Sequence, residues 1–183
     1  MKEFYFIRHG QTDHNISEGN LKGDHPDDIS INATGRMQAE AIEPLIATLP
    51  VHAICASPLA RVQETKKIIA KRLIVEHHLF ADLGECNAKI WFEMIQLGMF
   101  APPPTSGDAF AFIQRVKRGI DSALALPGTP LIVAHGGVHW ALCSLLGIQE
   151  HPWAIGNCVP VHFYRSLEGQ WKADMMMEII NQM

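Results

Sequence analysis

Short apolar runs alternate with longer amphipathic segments along the chain. The short runs are typical of buried strands and cover residues 3–7, 51–56, 131–134, 159–165 and 171–177. The amphipathic segments repeat apolar residues at helical spacing and cover residues 34–49, 57–72, 108–126 and 138–146. Strands that alternate with helices predict an α/β fold, in which a mostly parallel central sheet carries helices on both faces. The last two strands are expected to pair as a hairpin around Glu168 and Gly169.

Local signals in the first two helices make specific predictions. Ser57 suits the N-cap of its helix, and Pro58 suits the first turn. Pro44 lies inside the segment 34–49, where a proline predicts a kink or a break because it lacks a backbone N–H. The apolar stripe of this segment, which we expect to face the core, consists of Met37, Ala41, Leu45 and Leu49.

Residues 77–107 depart from the alternation of strands and helices. They include three consecutive prolines, carry little strand signal and contain one short helical segment at residues 89–97. A chain of 183 residues has the usual length of one domain. We therefore expect a single domain over residues 1–183, in which residues 77–107 form a small lid insertion that covers a site.

Composition and charge exclude several classes of protein. A hydrophobic fraction of 48% with 19% charged residues excludes a disordered or fibrous chain. The net charge of −4, from 15 basic and 19 acidic residues, implies no broad basic surface, so no nucleic-acid or membrane partner is expected. Residues 122–149 hold no charged side chain, but Pro and Gly interrupt them, which predicts a buried strand, a turn and a helix rather than a membrane span.

The cysteines and histidines give no sign of a disulfide framework or a metal centre. The four cysteines form no CxxC pair, and the charged N-terminus does not resemble a signal peptide. We therefore expect reduced core thiols in a cytoplasmic protein. His135 and His139 are spaced as metal ligands on a helix are, but no HExxH motif or carboxylate accompanies them. We expect no metal and no cofactor, and we assign His139 either to packing or to a supporting position behind the site.

Candidate chemistry follows three of the predicted strands. Arg8 and His9 follow the first strand, Arg61 comes shortly after the second, and His135 follows the strand at 131–134. The carboxyl ends of parallel strands meet at one edge of a sheet, so these side chains should converge there. Arginine forks and helix N-termini bind phosphoryl oxygens, and a histidine can carry a phosphoryl group covalently. The sequence therefore predicts a phosphate site at this edge.

Four short segments of the chain match known motifs. Residues 8–15 (RHGQTDHN) match the signature RHGxTxxN, and residues 57–65 (SPLARVQET) are similar to SPLxRAxET. Residues 32–39 (NATGRMQA) are similar to a helix start, and residues 133–137 (VAHGG) to a second histidine motif, of the same family. Together and in this order, the segments resemble the histidine phosphatase superfamily, in its phosphoglycerate mutase-like branch, and the resemblance implies the phosphoglycerate mutase-like fold.

The resemblance implies a role for each matching residue. His9 would be the nucleophile that becomes a phosphohistidine, and His135 would act beside it in catalysis. Glu85 matches the position of the proton donor, with Glu93 as the alternative because the segment after Glu85 departs from the family pattern. The residues that would bind the phosphoryl group are Arg8, Gly10, Asn15, Arg61 and Gly136.

These roles predict a metal-independent hydrolase of the histidine acid phosphatase type that acts on a small-molecule phosphomonoester. Mutases of the branch usually carry Asn where this chain has Gly137. Residues 77–108 hold Lys89 as their one strong base, which leaves little to bind a second anionic group. Apolar residues in the expected lid favour a bulky or aromatic ester. The alternatives are a mutase-type phosphotransferase, a non-enzymatic phospho-ligand-binding protein and a phosphohistidine protein phosphatase.

Overall fold

The computed structural model describes residues 2–16, 29–98, 101–148, 151 and 155–176. The strands in these residues are β1 (Phe4–Arg8), β2 (Ala53–Ala56), β3 (Glu76–Leu79), β4 (Pro130–Ala134), β5 (Pro160–Arg165) and β6 (Trp171–Met175). The α-helices are α1 (Asp13–Ile16), α2 (Ala33–Ile46), α3 (Ala60–Ile69), α4 (Ala88–Leu97), α5 (Gly107–Ala125) and α6 (Gly136–Leu146). A short 3₁₀ turn covers Ala81–Leu83.

The described strands form one sheet in the order β3-β2-β4-β1-β5-β6. The pairs β3–β2, β2–β4 and β4–β1 are parallel, whereas β1–β5 and β5–β6 are antiparallel. The predicted mostly parallel sheet and the late hairpin are therefore confirmed. In the hairpin turn, Gly169 has a φ of 80°, a value that glycine adopts readily. The last residue of the predicted strand 171–177 lies outside the described residues.

The register of the parallel strands aligns three of their carboxyl ends. Arg8 in β1 lies beside Ala134 in β4, and Ala56 in β2 lies beside Val133 in β4. The residues that leave these three strands therefore emerge at one edge of the sheet. This arrangement positions the candidate site.

Helices cover both faces of the sheet, as the sequence predicted. Alternate residues of β1 point to opposite faces, as the pleat of a strand requires: Phe4 and Phe6 enter one core cluster, and Tyr5 and Ile7 enter the other. The first cluster lies under α4, α5 and α6, and the second lies under α2 and α3. The apolar stripe of α5 packs into the first cluster.

Helix α2 differs from its predicted form in two ways. Pro44 lies inside a single assigned helix, only two residues from its end, so the predicted break is wrong. The predicted stripe is also wrong in part, because Met37 is 61% exposed and Ala41 is exposed. A close backbone contact explains the shifted face: a Cβ atom built on Gly35 would lie 2.3 Å from the carbonyl oxygen of Gln11. The absence of a side chain at Gly35 lets α2 pack directly on the loop that follows β1.

Helix α3 begins later than predicted. Its N-cap is Leu59, and Ser57 and Pro58 lie before the helix, so the predicted N-cap at Ser57 is wrong. The hydroxyl of Ser57 is buried, lies 2.9 Å from Nε2 of His135 and accepts the N–H of Leu59 at 3.4 Å, before the helix begins. The hydroxyl therefore combines a tertiary contact with a local turn contact.

The segment 77–107 contains more regular structure than expected. The predicted helix is present as α4, but β3 at the start of the segment was not predicted. Three of the four β3 residues are exposed, and the strand lies at the edge of the sheet, where polar residues are common. A pattern search for apolar runs misses such a strand. Met99 and Phe100 lie outside the described residues.

Two predictions from composition can be compared with the fold. The four cysteines are all free and buried, as expected of core thiols. The uncharged stretch 122–149 contains the end of α5, then β4 and α6. In the part of the chain that the structure describes, no helix combines the length and the apolar character that a membrane crossing requires.

Candidate active site

The candidate site lies where β1, β2 and β4 end at the same edge of the sheet. His9 directly follows β1, His135 directly follows β4, and Arg61 lies in the first turn of α3, which follows β2. The exposed fraction is 3% for His9, 3% for Arg61 and zero for His135. The two imidazole ring centroids are 5.3 Å apart. The structure therefore brings together the side chains that the sequence predicted to converge.

The hydrogen bonds of His9 define the state of its ring. Nδ1 lies 2.8 Å from the backbone oxygen of Gly10, which can only accept, so Nδ1 carries a proton and donates. The Nε–H of Arg61 donates to Nε2 of His9 at 3.3 Å. His9 is therefore a neutral imidazole whose Nε2 lone pair faces a guanidinium group.

The backbone around His9 is fixed by residues from distant parts of the chain. The N–H of His9 donates to the oxygen of Ala134 at 3.0 Å, and Nδ2 of Asn157 donates to the oxygen of His9 at 2.8 Å. The N–H of Gly10 donates to Oγ1 of Thr65 at 2.9 Å, and this hydroxyl donates to the backbone oxygen of Arg61 at 2.7 Å. Sequence reasoning missed Thr65 and Asn157 as supports of the loop. Thr65 ends one of the recognised motifs, whereas Asn157 has no local signal.

Gly10 is needed for packing. A Cβ atom there would lie 2.6 Å from the backbone oxygen of Gly35 in α2. Glycine at position 10 thus allows the loop after β1 to lie directly against the backbone of α2.

Arg8 reaches the site from the end of β1. One terminal nitrogen donates to the backbone oxygen of Ile155 at 2.9 Å, while Nε is buried and has no hydrogen-bond partner among the described residues. Burial lowers the pKa of the Arg8 guanidinium, and the carboxylate of Glu85 partly offsets this shift. Gly136 lies against Arg8, since a Cβ on Gly136 would be 3.6 Å from the guanidinium carbon.

His135 is the N-cap residue of α6 and is held by Ser57. Nε2 of His135 lies 2.9 Å from Oγ of Ser57, and Nδ1 is buried with no hydrogen-bond partner in the described part of the chain. Burial, followed by the charges of Arg61 and Arg8, lowers the pKa of His135 well below its usual value. His135 is therefore neutral at physiological pH.

Asn15 lies next to this cluster in a separate network. Its Oδ1 accepts the N–H of Thr12 at 3.0 Å and the hydroxyl of Thr12 at 3.1 Å. Nδ2 of Asn157 also donates to Oδ1 of Asn15, at 3.3 Å. These bonds fix the turn after His9. They occupy the amide oxygen of Asn15 with donors from Thr12 and Asn157.

Glu85 lies at the N-terminus of α6. Its Oε1 accepts the N–H of Gly137 at 3.1 Å and the N–H of Cys86 at 3.0 Å. A Cβ atom on Gly137 would lie 2.4 Å from the same oxygen and 2.8 Å from Sγ of Cys86. Glycine at position 137 therefore leaves the space that the Glu85 carboxyl group occupies.

Glu93, the alternative acid, has a different environment. Its Oε2 accepts the N–H of Ala109 in the first turn of α5, at 3.2 Å. A Cβ atom on Gly107 would lie 2.7 Å from Oε1 of Glu93. Glu93 thus caps α5, and the geometry favours Glu85 as the carboxyl group of the site.

A cavity of about 500 Å³ opens beside Arg61 and Glu85. Its apolar lining consists of Leu59, Ile90, Ala111 and Phe112, and its polar lining consists of Arg61, Glu85, Asn87, Asp108 and Arg115, with Cys86 beside them. Sequence reasoning missed Arg115, because α5 follows the segment in which bases were counted. The cavity therefore holds a cation in addition to those of the cluster.

Few apolar side chains of the expected lid line this cavity. Ile90 does so, whereas Trp91 packs edge-on against Trp140 of α6, with ring centroids 5.3 Å apart. Lys89 pairs with Asp108 at the surface, with 2.5 Å between Nζ and Oδ2. Helix α4 therefore packs one side against the body of the protein, while Phe92 and Leu97 stay exposed.

Metal-binding geometry is not found in the described residues, where no group of three or more His, Cys, Asp and Glu side chains is placed to hold an ion. His139 is 1% exposed and packs against Phe6 and Phe163. Nδ1 of His151 lies 3.1 Å from the backbone oxygen of Ala173, which can only accept, so Nδ1 donates. The Nε2 atom of His151 is then the acceptor for Nε2–H of His139, at 2.9 Å. His139 is thus a packed residue, as predicted.

The buried His139 predicts a loss of stability in acid. Burial, with His151 and Arg8 nearby, lowers the pKa of His139 to about 3. Between pH 6.5 and this value the unfolded chain binds a proton that the folded chain does not, so the free energy of unfolding falls with decreasing pH. Urea unfolding at several pH values should show that His139→Gln flattens this slope by about 1.4 kcal/mol per pH unit. The control is His52→Gln, which changes an exposed histidine and should keep the wild-type slope. An equal slope in His139→Gln and the wild type would contradict the prediction.

Comparison with known proteins gives first the fold and then the family. The crystal structure of the alpha-ribazole phosphatase from Shigella flexneri has the same fold, with a TM-score of 0.68 and 20% sequence identity over 94% of this chain and 95% of that one. The model of the histidine phosphatase superfamily (branch 1) matches residues 4–165. The chain belongs to this superfamily.

Relatives at the sequence level carry different names. The agropine synthesis reductase of Rhizobium rhizogenes is 30% identical over 184 residues, which covers 96% of this chain. This chain spans 42% of the length of that protein. The "Probable phosphoglycerate mutase GpmB" of Yersinia enterocolitica is 27% identical over 170 residues, which covers 82% of this chain and 78% of the relative.

Proposed function

We propose that this chain is a metal-independent phosphatase that hydrolyses a small-molecule phosphomonoester through a phosphohistidine at His9. The observation that carries the proposal is the ring state of His9. Its Nδ1–H is committed to Gly10, so the Nε2 lone pair is directed towards Arg61 and its surroundings. An anionic phosphoryl group bound by the guanidinium would lie beside this nucleophile.

In the first step, Nε2 of His9 attacks phosphorus and the bond from phosphorus to the ester oxygen breaks. The guanidinium groups of Arg8 and Arg61 and the imidazole of His135 stabilise the charge on the transferred oxygens. Two buried groups support this assignment, since Nε of Arg8 and Nδ1 of His135 have no hydrogen-bond partner among the described residues. A phosphoryl oxygen would supply a partner to each.

Glu85 completes the proposed reaction. In its protonated form the carboxyl group gives its proton to the leaving oxygen, which departs as an alcohol. In the second step the carboxylate takes a proton from water, whose oxygen attacks phosphorus and releases inorganic phosphate from His9. The position of Glu85 beside Arg61 in the same cavity supports this role.

Arg115 gives some support to a second function, a mutase-type phosphotransferase. Such an enzyme must hold a second anionic group of its substrate, and Arg115 is a cation in the lining of the cavity. Its terminal nitrogens, however, donate to backbone oxygens of residues 81, 84 and 85. We therefore retain hydrolysis as the proposed reaction.

The test combines product analysis with trapping of the intermediate. The purified protein is incubated with a ³²P-labelled monoester in excess EDTA, and free phosphate and labelled protein are measured after rapid quenching. We expect phosphate release that EDTA does not reduce, and a phosphoprotein that is stable in base and labile in acid. Label that moves to another hydroxyl group would indicate phosphotransfer. Ester binding without release or labelling would indicate a non-enzymatic binding protein.

A further inference from the structure

Arg115 reaches from α5 to the short loop that carries Glu85. Its terminal nitrogens donate to three backbone oxygens: to that of Ala81 at 3.3 Å, to that of Gly84 at 3.0 Å and to that of Glu85 at 3.1 Å. One guanidinium group therefore holds the backbone of Glu85 and of the residues that precede it.

The guanidinium group is itself held in place. It lies over the ring of Phe112, one turn earlier in α5, with 4.9 Å between the guanidinium carbon and the ring centroid. Burial lowers the pKa of Arg115, while the carboxylates of Asp82 and Glu85 raise it. An arginine keeps its charge in proteins, and the planar fork suits several carbonyl oxygens at once.

Contacts on the opposite side fix the carboxyl group of Glu85. The N–H groups of Cys86 and Gly137 both donate to Oε1. The side chain is thus held by α6 and its own backbone, and the main chain is held by α5. Without Arg115, the contacts of the carboxyl group would remain, but the loop that presents it would lose three hydrogen bonds.

We propose that Arg115 is a positioning residue that aligns Glu85 for proton transfer to the leaving oxygen. This inference rests on the proposed function, in which Glu85 is the general acid. Proton transfer requires the donor to lie within hydrogen-bond distance of the departing oxygen, so a small displacement of the loop slows it. Arg115 itself exchanges no proton and forms no bond to phosphorus.

The leaving group of the substrate separates this role from a general structural one. The dinitrophenolate of 2,4-dinitrophenyl phosphate leaves without protonation, whereas the alkoxide of an alkyl phosphate must receive a proton from the acid. The quantity compared is kcat/KM, which reports formation of the phosphohistidine and excludes its later hydrolysis. We expect Arg115→Ala to lower kcat/KM for the alkyl phosphate by about 30-fold, which is part of the roughly 10²–10⁴-fold that general acid catalysis contributes, and to change the aryl value by less than about threefold.

Three further variants sharpen the test. Glu85→Gln should show the same selective loss, and Arg115→Ala should add little to it in the double variant, because both changes remove one function. Arg115→Lys, which keeps one cationic donor group, should recover part of the loss. If Arg115→Ala is unstable, Arg115→Lys takes its place in the comparison of the two esters. Lys117→Ala is the matched control, since Lys117 lies on the same helix but pairs with Asp121 of that helix at 2.6 Å.

The possible outcomes distinguish failure of the positioning role of Arg115 from failure of the proposed phosphatase function. An equal loss for both esters, or additive losses in the double variant, would overturn the positioning role while the phosphatase stands. A wild type that releases no phosphate would overturn the proposed function and this role with it. A selective loss in Arg115→Ala that is not additive with Glu85→Gln, with Lys117→Ala unchanged, would establish the role.

Discussion

His9→Ala is expected to reduce phosphate release by at least about 10³-fold and to abolish labelling of the protein, because the variant lacks the atom that attacks phosphorus. The buried ring makes its polar contacts with Gly10 and Arg61, and the backbone bonds of residue 9 to Ala134 and Asn157 do not depend on the side chain. The variant should therefore fold. The measurement is single-turnover quench with a labelled monoester, alongside thermal unfolding of both proteins.

The control for this prediction is His162→Ala, which removes a half-buried imidazole from β5, where it contacts Glu3. This variant should keep activity near that of the wild type. Substantial turnover by His9→Ala with a labelled protein would show that another residue is the nucleophile, and the mechanism proposed above would be wrong.

Arg61→Ala is expected to lower kcat/KM by about 10²–10³-fold, the usual range for loss of one group that stabilises developing charge. Arg61 is 3% exposed and faces Nε2 of His9, so no water-exposed cation can readily replace it. Arg61→Lys should recover only part of this loss, because an ammonium group lacks the planar fork that contacts two oxygens. Steady-state kinetics with an aryl phosphate would give both values.

The fold of the Arg61 variants can be checked separately. The hydroxyl of Thr65 donates to the backbone oxygen of Arg61, so the link from α3 to Gly10 survives the change. Arg36→Ala is the control, because Arg36 is an exposed arginine paired with Glu64 at 3.2 Å. Equal activity in Arg61→Ala and Arg36→Ala would contradict the assignment of Arg61 to the phosphoryl site.

Strong local patterns made much of the fold predictable. The apolar runs of β1, β2 and β4 and the stripe of α5 identify buried elements directly. Parallel strands align their carboxyl ends at one edge of the sheet, which is why the sequence alone groups His9, Arg61 and His135.

The parts that sequence could not predict depend on contacts between distant residues. Strand β3 is polar because it lies at an edge, so it lacks the pattern of a buried strand. Ser57 lies before its helix, and its hydroxyl contacts His135, a residue 78 positions away in the chain. Arg115 and Asn157 support the loops of Glu85 and His9 from other elements, and no local spacing marks such a contact.

The place of β1 in the sheet has a kinetic consequence. Its two neighbours, β4 and β5, both come from the last third of the chain, so β1 stays unpaired until those strands have formed. Closing such long loops makes the folding barrier largely entropic and the refolding slow. The loop of His9 depends on Ala134 and Asn157, so it is ordered in the same late event. In a refolding experiment, enzymatic activity should therefore return with the slowest phase, after most helical signal has already been regained.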